Sequence, residues 1–527
     1  MPLWVKTFGS IVLLAVSTCT LYGQNVPAQK PDKVSPSDTI VPGKGEPEKQ
    51  IKEIEKVKIK QLSDSTGNEP KKSALVDTTI QNKYGDLLND DSLYNKRSRL
   101  WVPLVELTAA NALVWSMDRF ILNEEYARVN TTTWKNSFRN GWEWDIDRFG
   151  INFIGHPYSG TMSFNAGRAN GYNYFQSSLM AVGGSLMWEY FGETTLPSYN
   201  DIINTPVNGA FIGEIMYRLS SNILDDRTRG IQRFTRELAA GLINPIRGVN
   251  RLLQGKTFKR TNKEVYQKEP LNISLFAGFH AINDEREVFT GKGTISEMFN
   301  IQLDYGNPFE HRSRKPFDFF KLRGEFDFGV GRKKLSNLTG YGIISGKNLK
   351  FKKQSVLYGL FQYYEYWDNR TFELGTIAIG GGVFSKLPLS KTSDLYTNIH
   401  FAGIPFAGNS TQDGPDTTQV RDYSFGGGLE GKFETTLNLG KYATASVIFY
   451  YYMIHTYVGL PGDNFIGILK PRITLRIYKG LSFGFEHYTY FEDRYLTNYP
   501  ANHMARTEQK IFLLLYLEDK QRRGHYN

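Results

Sequence analysis

The sequence is poor in cysteine and contains no long apolar run, and both absences narrow the choice of protein class. Cys19 is the only cysteine among 527 residues. If the N-terminal residues are removed on secretion, the mature chain has no disulfide, no cysteine-based metal site and no cysteine nucleophile. A run of about 18 apolar residues, the length of a membrane-crossing helix, occurs nowhere in the sequence. We therefore do not expect a helical membrane protein.

Aromatic residues and glycine are abundant instead. Aromatic residues make up 14% of the chain, with 31 Tyr and 35 Phe, and there are 50 Gly. Soluble enzymes seldom combine so many of these residues, whereas transmembrane β-barrels do. The strands of such barrels alternate apolar and polar residues, so a search for apolar runs does not find them.

The excess of positive charge is small and spread along the chain. Lys and Arg total 63, Asp and Glu total 53, and the net charge is +10, but no basic block with interleaved aromatic residues stands out. Nucleic acid is therefore not expected as a partner. A mildly basic surface suits phosphorylated lipid headgroups, although a solvated surface and a polar barrel lumen are the simpler explanation.

The N-terminus has the features of a targeting segment. Lys6 precedes the apolar stretch 8–16, and small and polar residues then lead to Gly23. This order predicts a secretory signal peptide over residues 1–23, cleaved near Gly23. Acylation of Cys19 is a competing interpretation, which Thr18 disfavours. Residues 24–99 are polar and rich in Pro, Lys, Glu and Ser, so we expect a disordered tether there.

From about Leu271 onward, apolar and polar residues alternate. Phe320, Leu322, Phe326 and Phe328, for example, alternate with Lys321, Arg323, Glu325 and Asp327. About twelve such segments of roughly ten residues predict a transmembrane antiparallel β-barrel over residues 268–527. A soluble β-sandwich also alternates, but the charged polar faces and the aromatic strand ends favour the barrel. With the signal peptide, this pattern predicts the outer membrane of a Gram-negative bacterium.

Residues 100–260 have helical periodicity. Candidate helices cover residues 103–125, 172–190, 209–223 and 231–253, the last broken near Pro245. The predicted fold is therefore α+β, with a disordered tether, a small helical domain and a barrel. The sequence leaves open whether the helical domain plugs the barrel, forms a periplasmic base beneath it or lines a pocket near the lipid boundary.

Dense polar motifs interrupt the apolar residues of this domain. His156, Ser159 and Asp201 are candidate catalytic residues, with Asp145 and Asp147 as further members of an acid–base or nucleophilic set. The simpler alternative is a turn at His156-Pro157 whose ring is hydrogen bonded locally. Seven further residues form binding or structural polar motifs: Glu189, Glu193, Asn200, Glu214, Arg218, Asn244 and Arg247.

Spacing predicts local roles for some of these residues. Glu189 and Glu193, four apart on one helix, suit a metal or a pair of carboxylates, although such acids are common on exposed faces. Glu214 and Arg218 predict an ion pair within a helix. Ser198 predicts a helix N-cap. No residue set is assigned to a metal, no cofactor is expected, and no nucleophile elbow, HExxH motif or P-loop is present.

The order of the motifs HPYSG, WEYFGE and PSYNDII-TP-GA-GE resembles an uncharacterised family of Bacteroidetes outer-membrane proteins, domain of unknown function 3943. The resemblance covers about residues 140–255 and implies no activity. More remotely, the order of His, Glu, Ser-x-x-Asp and Gly-x-x-x-Gly is similar to VanZ-like and YfiM-like helical membrane proteins.

Two functional hypotheses follow. The first is a non-enzymatic outer-membrane barrel for envelope structure, binding or small-molecule passage, with outer-membrane lipids, lipopolysaccharide among them, as partners. The second is an envelope enzyme that acts on lipid or another acyl or phospho substrate through His156, Ser159 and the acids Glu189, Glu193 and Asp201. The missing nucleophile elbow favours the first hypothesis.

Overall fold

The computed structural model describes residues 97–262, 264–283, 294–312, 314–329, 334–369, 371–411 and 423–519. The predicted signal peptide, with Cys19 and Gly23, lies outside these ranges, as does almost all of the predicted tether 24–99. The described residues belong to one compact unit.

Twelve antiparallel strands form a closed barrel, in which each strand pairs with its neighbours in sequence and β1 closes against β12. This confirms the fold class predicted from the alternation. We call the end where β1 begins and β12 ends the terminal rim, and the opposite end the distal rim. The strands are β1 Leu271–Asn283, β2 Thr294–Tyr305, β3 Phe320–Asp327, β4 Leu335–Phe351, β5 Gln354–Asp368, β6 Phe372–Pro388, β7 Ser393–Thr411, β8 Ser424–Leu439, β9 Ala443–Val458, β10 Gly462–Tyr478, β11 Leu481–Leu496 and β12 Asn502–Leu517.

Ion pairs between distant strands identify the side chains that face the lumen. Lys432 Nζ on β8 lies 2.6 Å from Glu365 Oε1 on β5, and Lys510 on β12 bonds Glu325 on β3. These strands are not neighbours, so the side chains meet across the lumen. Residues of the opposite parity, such as Leu513 on β12, are apolar and exposed on the outer wall. A charged interior and an apolar exterior are the surface pattern of a transmembrane barrel.

Side chains fill the lumen towards the distal rim. The aromatic rings of Tyr363, Trp367, Tyr452 and Tyr490 are buried there in one cluster, and the Lys432 side chain beside them is 1% exposed. At the terminal rim the lumen widens into a cavity of about 1240 Å³, whose lining includes Asn272, Lys386, Tyr396, Asn438, Arg476 and Lys479.

Seven α-helices precede the barrel within the described residues 97–262. They are α1 Trp101–Ser116, α2 Thr131–Arg139, α3 His156–Ala169, α4 Tyr174–Phe191, α5 Tyr199–Ile223, α6 Gly230–Ile243 and α7 Pro245–Leu253, with π-helical turns at Met117–Ile121 and Ile151–Gly155. Asn130 and Asn173 cap α2 and α4 in reciprocal capping boxes. Pro245 begins α7, where its missing N–H costs no helical hydrogen bond. None of the described helices combines the length and apolarity needed to cross a membrane.

Three of these helices differ from the sequence-based prediction, which did not include α2. The prediction missed α3, because its Gly, Ser and Asn residues have low helix propensity, and the turn predicted at His156-Pro157 is wrong: both residues belong to the first turn of α3. Helix α5 begins ten residues before the predicted Gly209 and contains Pro206. The Ser198 N-cap is present, since its Oγ accepts a hydrogen bond from Asp201 N at 3.2 Å.

The helical unit, residues 101–253, packs against the outer wall of the barrel. Tyr364 has the parity opposite to the lumen-facing Glu365, and its hydroxyl donates a hydrogen bond to the Phe153 carbonyl at 2.6 Å. The Phe211 ring of α5 stacks on the Tyr364 ring, with centroids 5.7 Å apart. The unit is therefore neither a plug nor a base beneath the barrel. Sequence periodicity predicts which residues of each strand face the lumen and which face outward. It does not predict that the helices pack on the outer wall.

Helix α5 follows the wall from one rim to the other. Near its N-terminus, the Trp144 ring packs on Phe425 at the start of β8, with centroids 5.2 Å apart. Near its C-terminus, Asn222 Nδ2 donates to the carbonyl of Glu269, just before β1, at 2.9 Å. Its 25 residues span about 37 Å, comparable to a bilayer with its interfaces.

Candidate functional site

The polar motifs of the helical unit form two separate clusters. The rim cluster consists of Asp145, Asp147, His156, Glu189, Glu193 and Asp201, and the arginine cluster consists of Arg168, Glu214 and Arg218. The rim cluster lies near the distal rim, because the hydroxyl of Tyr423, the residue before β8, donates to the Asp147 carbonyl at 2.9 Å. The candidate residues predicted from sequence therefore do not share one site.

Three chain segments assemble the rim cluster. The connection before α3 carries Asp145 and Asp147, and it is fixed to the connection before α5 by a hydrogen bond from Glu143 N to the Pro197 carbonyl at 2.9 Å. His156 stands at the N-terminus of α3, and Asp201 stands in the first turn of α5. An acidic residue in a first helical turn is stabilised by the free N–H groups there.

His156 lies between two carboxylates. Its Nε2 is 3.3 Å from Asp147 Oδ2 and 3.5 Å from Asp201 Oδ1. Its side chain is 12% exposed and that of Asp147 is 46% exposed, so the cluster opens to the surface on the Asp147 side. This arrangement orients the imidazole and suits a proton-transfer group.

Asn152 and Asn200 join the rim cluster to the barrel. Asn200 Nδ2 donates to Asn152 Oδ1 at 2.9 Å, and Asn152 Nδ2 donates to Asp145 Oδ1 at 2.9 Å. The same Asn152 amide contacts the Tyr423 hydroxyl at 2.5 Å. Because these groups are buried and mutually bonded, they fix the position of the cluster on the wall.

Glu189 and Glu193 do not share a helix face, contrary to the prediction. Helix α4 ends at Phe191, and Glu193 lies in the following connection. The Glu189 carboxylate accepts a hydrogen bond from Ser198 N at 2.7 Å, whereas Glu193 accepts one from Trp188 Nε1 at 2.5 Å. Burial raises the pKa of the Glu193 carboxyl, and the nearby His156 offsets part of the rise. Glu193 therefore keeps a proton at a higher pH than an exposed glutamate does.

Three members of the rim cluster could hold a metal ion. Asp145, Asp147 and His156 each offer a ligand atom, and these atoms lie within 4.8 Å of one another. Carboxylate oxygen and imidazole nitrogen suit divalent cations such as zinc or manganese. The sequence analysis assigned no residue set to a metal and noted only that the spacing of Glu189 and Glu193 would suit one, and these two acids are not members of the set that the structure brings together.

Ser159 is not positioned as a nucleophile activated by His156. It follows His156 by three residues on α3, but its hydroxyl makes no hydrogen bond with the imidazole among the described contacts. A serine nucleophile requires that contact with its base. The arrangement therefore suits general acid–base chemistry or cation binding better than a serine mechanism.

The arginine cluster is a buried ion-pair network between α3 and α5. Glu214 is fully buried and accepts hydrogen bonds from Arg168 Nε at 2.7 Å and from Arg218 Nε at 2.8 Å. The predicted pair within α5 is thus present, and Arg168 completes it. Replacing one partner would leave the charges of the other two buried without compensation. These residues therefore hold the helices together.

Asn244 and Arg247 fix the junction of α6 and α7. Asn244 Oδ1 accepts from Arg247 N at 3.0 Å, and its Nδ2 donates to Asn165 on α3 at 2.8 Å. The Arg247 guanidinium donates to the Tyr217 carbonyl on α5 at 2.9 Å. Both residues satisfy buried backbone and amide groups, which is a structural role.

Sequence reasoning did not single out Asn152 or Tyr423. Asn152 stands four residues before His156, at the start of the segment that leads into the HPYSG motif, so its position beside that motif was a usable signal. Tyr423 is 271 residues away in the chain, and only the docking of the helices on the wall brings it to the cluster.

The solved structures that are similar to this chain include porins. The chain is similar to the NanC porin (8% identity, 46% of this chain and all of that chain, TM-score 0.26). It is also similar to the outer membrane channel DcaP of Acinetobacter baumannii (7% identity, 47% and 96% coverage, TM-score 0.20). These scores are too low to carry a functional conclusion. No curated protein matches the chain. Residues 141–246, which contain the rim and arginine clusters, match the family model described as "Domain of unknown function (DUF3943)".

Proposed function

We propose that the protein is a non-conducting outer-membrane β-barrel that serves envelope structure or binding rather than passage. The observation that carries this proposal is the set of buried ion pairs that connect opposite walls of the lumen. Lys432 contacts both Glu365 and Glu430, at 2.6 and 3.0 Å. Elsewhere in the lumen, Arg323 on β3 contacts Glu434 on β8 at 2.8 Å.

These contacts oppose an open pore for energetic reasons. The Lys432 and Glu365 side chains are 1% and 2% exposed, so water compensates neither charge and each depends on its neighbours in the lumen. Separating one such pair leaves uncompensated buried charges, at a cost of about 3–5 kcal/mol. A diffusion channel would require several pairs to separate together with the tyrosine rings packed on them.

Conductance in planar bilayers tests this proposal. We expect no stepwise current from the refolded full chain, and a small current from the double variant Glu365→Ala with Lys432→Ala. Leu429→Ala, an outward substitution on β8, is the matched control and should stay silent. Porin-sized current from the unaltered protein would refute the non-conducting role.

The proposed location has its own test. The exposed apolar residues of the wall support membrane insertion, and the N-terminal pattern supports export to the outer membrane of a Gram-negative bacterium of the Bacteroidetes type. We expect the chain in the outer-membrane fraction, with a mature N-terminus at Gln24 and with lipids, lipopolysaccharide included, as its partners. A chain that stays in the soluble fraction would contradict this location.

The second candidate function is an envelope enzyme that acts on a lipid or on another acyl or phospho substrate. The specific observation in its favour is the position of His156 between Asp147 and Asp201. The test incubates purified protein with outer-membrane lipids, with and without added zinc or manganese, and analyses products by mass spectrometry. His156→Gln should abolish any turnover, whereas His455→Gln, at an exposed histidine on β9, should not. Turnover that survives His156→Gln would exclude this site.

A further inference from the structure

The helices that form the body of the helical unit expose no charged side chain. Helices α1, α3, α4 and α5 contain seven acidic, basic or histidine residues, and each is buried or half-buried. These residues are Glu106, His156, Arg168, Glu189, Asp201, Glu214 and Arg218. A domain surrounded by water places its charges outside, so this unit is arranged in the opposite way.

Large apolar side chains occupy the exposed positions instead. Examples are Leu104 and Leu113 on α1 and Phe175 and Leu179 on α4, which are between 44% and 63% exposed. A broad face of this kind marks a contact with lipid or with another protein. The buried polar groups meanwhile bond one another, as when Asn111 Nδ2 of α1 donates to the Gly184 carbonyl of α4 at 2.9 Å.

The position of this face identifies its neighbour. The unit packs on the part of the wall that carries Tyr364, Phe406 and Phe425, and the uncovered wall beside it exposes apolar residues such as Leu360 and Phe401. The apolar face of the helices therefore continues the apolar belt of the barrel. The medium that surrounds the apolar belt of the barrel therefore also surrounds the outward faces of the helices.

Helix α6 adds an amphipathic edge near the terminal rim. Ile231, Phe234, Leu238 and Leu242 are exposed and share one face of α6, while Arg233 on its other face bonds Glu237 at 2.8 Å. Exposed basic residues lie nearby, Arg227 and Arg229 just before α6 and Lys259 and Arg260 after α7, where Arg233 of α6 donates to the Lys259 carbonyl at 3.2 Å. An apolar face with flanking cations is the pattern of a helix in the lipid headgroup region.

We propose that the helical unit is immersed in the same bilayer as the barrel, with acyl chains covering the outward faces of α1 and α4 and with α6 at the headgroup level. The proposal rests on the membrane location proposed above. Polar residues turned towards the barrel and towards one another interrupt the apolar sequence of these helices, which is consistent with the absence of a long apolar run.

Spin labels attached to single cysteines test the proposal. Each cysteine is introduced into the full chain that carries Cys19→Ser, and the labelled protein is refolded into vesicles of phosphatidylcholine and phosphatidylglycerol. Labels at Leu104→Cys, Leu179→Cys and Leu242→Cys probe the helical unit. Leu513→Cys probes the bare wall, and Lys391→Cys probes a water-exposed turn. Collisions with oxygen, which partitions into lipid, are compared with collisions with a nickel chelate, which stays in water.

We expect the labels on α1 and α4 to behave like the label at Leu513→Cys. At these positions the ratio of oxygen collisions to nickel collisions should be several-fold higher than at Lys391→Cys. The label on α6 should be intermediate. Nickel access at Leu104→Cys and Leu179→Cys, with Leu513→Cys still in lipid, would overturn the proposal and leave the barrel in its membrane. Labels shielded from both reagents would mean that a second copy or another protein covers the helices, which also overturns it. Nickel access at Leu513→Cys would instead refute the membrane location itself.

Discussion

The outer wall of the barrel has a covered part and a bare part, and their outward residues differ in kind. Under the helical unit the outward residues are glycines and buried aromatic rings: Gly340, Gly375, Gly408, Tyr364, Phe406 and Phe425. On the bare strands outward glycines such as Gly381 lie among exposed aliphatic and phenyl side chains: Ile473, Leu475, Phe483, Ile511, Leu513 and Leu515.

The difference separates contact with protein from contact with lipid. A Cβ added at Gly375 would lie 2.2 Å from the Phe153 ring, whereas one at Gly381, on the bare part of the same strand, would meet nothing within 4 Å. A ring of a packed helix needs a recess of matching shape, whereas fluid acyl chains adapt to any side chain. Outward glycines beside buried tyrosines therefore mark where a barrel wall receives protein.

Destabilising the helical unit that covers the wall is the largest expected effect. Glu214→Ala leaves Arg168 and Arg218 buried without their shared carboxylate, and we expect a loss of about 3–5 kcal/mol from the helical unit. Limited proteolysis should then cut within residues 101–253, while heat-dependent gel migration still reports a closed barrel. In Glu125→Ala, the matched control, an exposed pair with Arg128 is lost, and the expected change is at most about 1 kcal/mol. Equal protease resistance of both variants would contradict the structural role of the network.

A charge on the bare part tests its contact with lipid. Leu513→Arg on β12 should cost about 2–4 kcal/mol of stability in vesicles, because the guanidinium would face the hydrocarbon. Leu517→Arg, at the end of the same strand, lies at the terminal rim and should cost no more than about 1 kcal/mol. Urea titrations monitored by gel migration give both values. Similar costs at the two positions would place the rim at the same depth as the middle of the wall.

Filling a recess should disturb only the covered part. Gly375→Val forces the ring of Phe153 out of position, and overpacking of this kind costs about 1–3 kcal/mol. Protease sensitivity of residues 101–253 should rise while the barrel remains folded. Gly381→Val has open space around it and should leave the sensitivity unchanged. If both variants behave alike, the recess does not determine docking.

The barrel was predictable from sequence because strand periodicity alone decides which residues face outward. Phe320 and Leu322 against Lys321 and Arg323 suffice for this, and the twelve strands follow from counting such segments. The side on which the helices dock was not predictable. It depends on single glycines such as Gly375 and on pairs such as Asn152 and Tyr423, which are distant in sequence.

The candidate site was predictable only in its residue types. The grouping of His156 with Asp147 and Asp201 was expected, and these residues do lie together. Glu214, Arg218, Asn244 and Arg247 were predicted as binding or structural residues, with an ion pair between Glu214 and Arg218, because polar residues in apolar surroundings look alike in sequence whether they bind a ligand or hold helices together. Only their separation in space assigns them to packing.

The smallest expected effect isolates one hydrogen bond between the covered part of the wall and the helical unit. Tyr364→Phe keeps the ring that stacks on Phe211 but removes the donor to the Phe153 carbonyl, and we expect a loss of about 0.5–1.5 kcal/mol. Tyr358→Phe is the matched control on the same strand, where the ring lies exposed on the bare part and its loss of a hydroxyl should not matter. The measurement is the rate of proteolysis of residues 101–253 at increasing urea. A larger effect at Tyr358 than at Tyr364 would mean that the bare part, not the covered part, holds the helical unit, and the distinction between the two would fail.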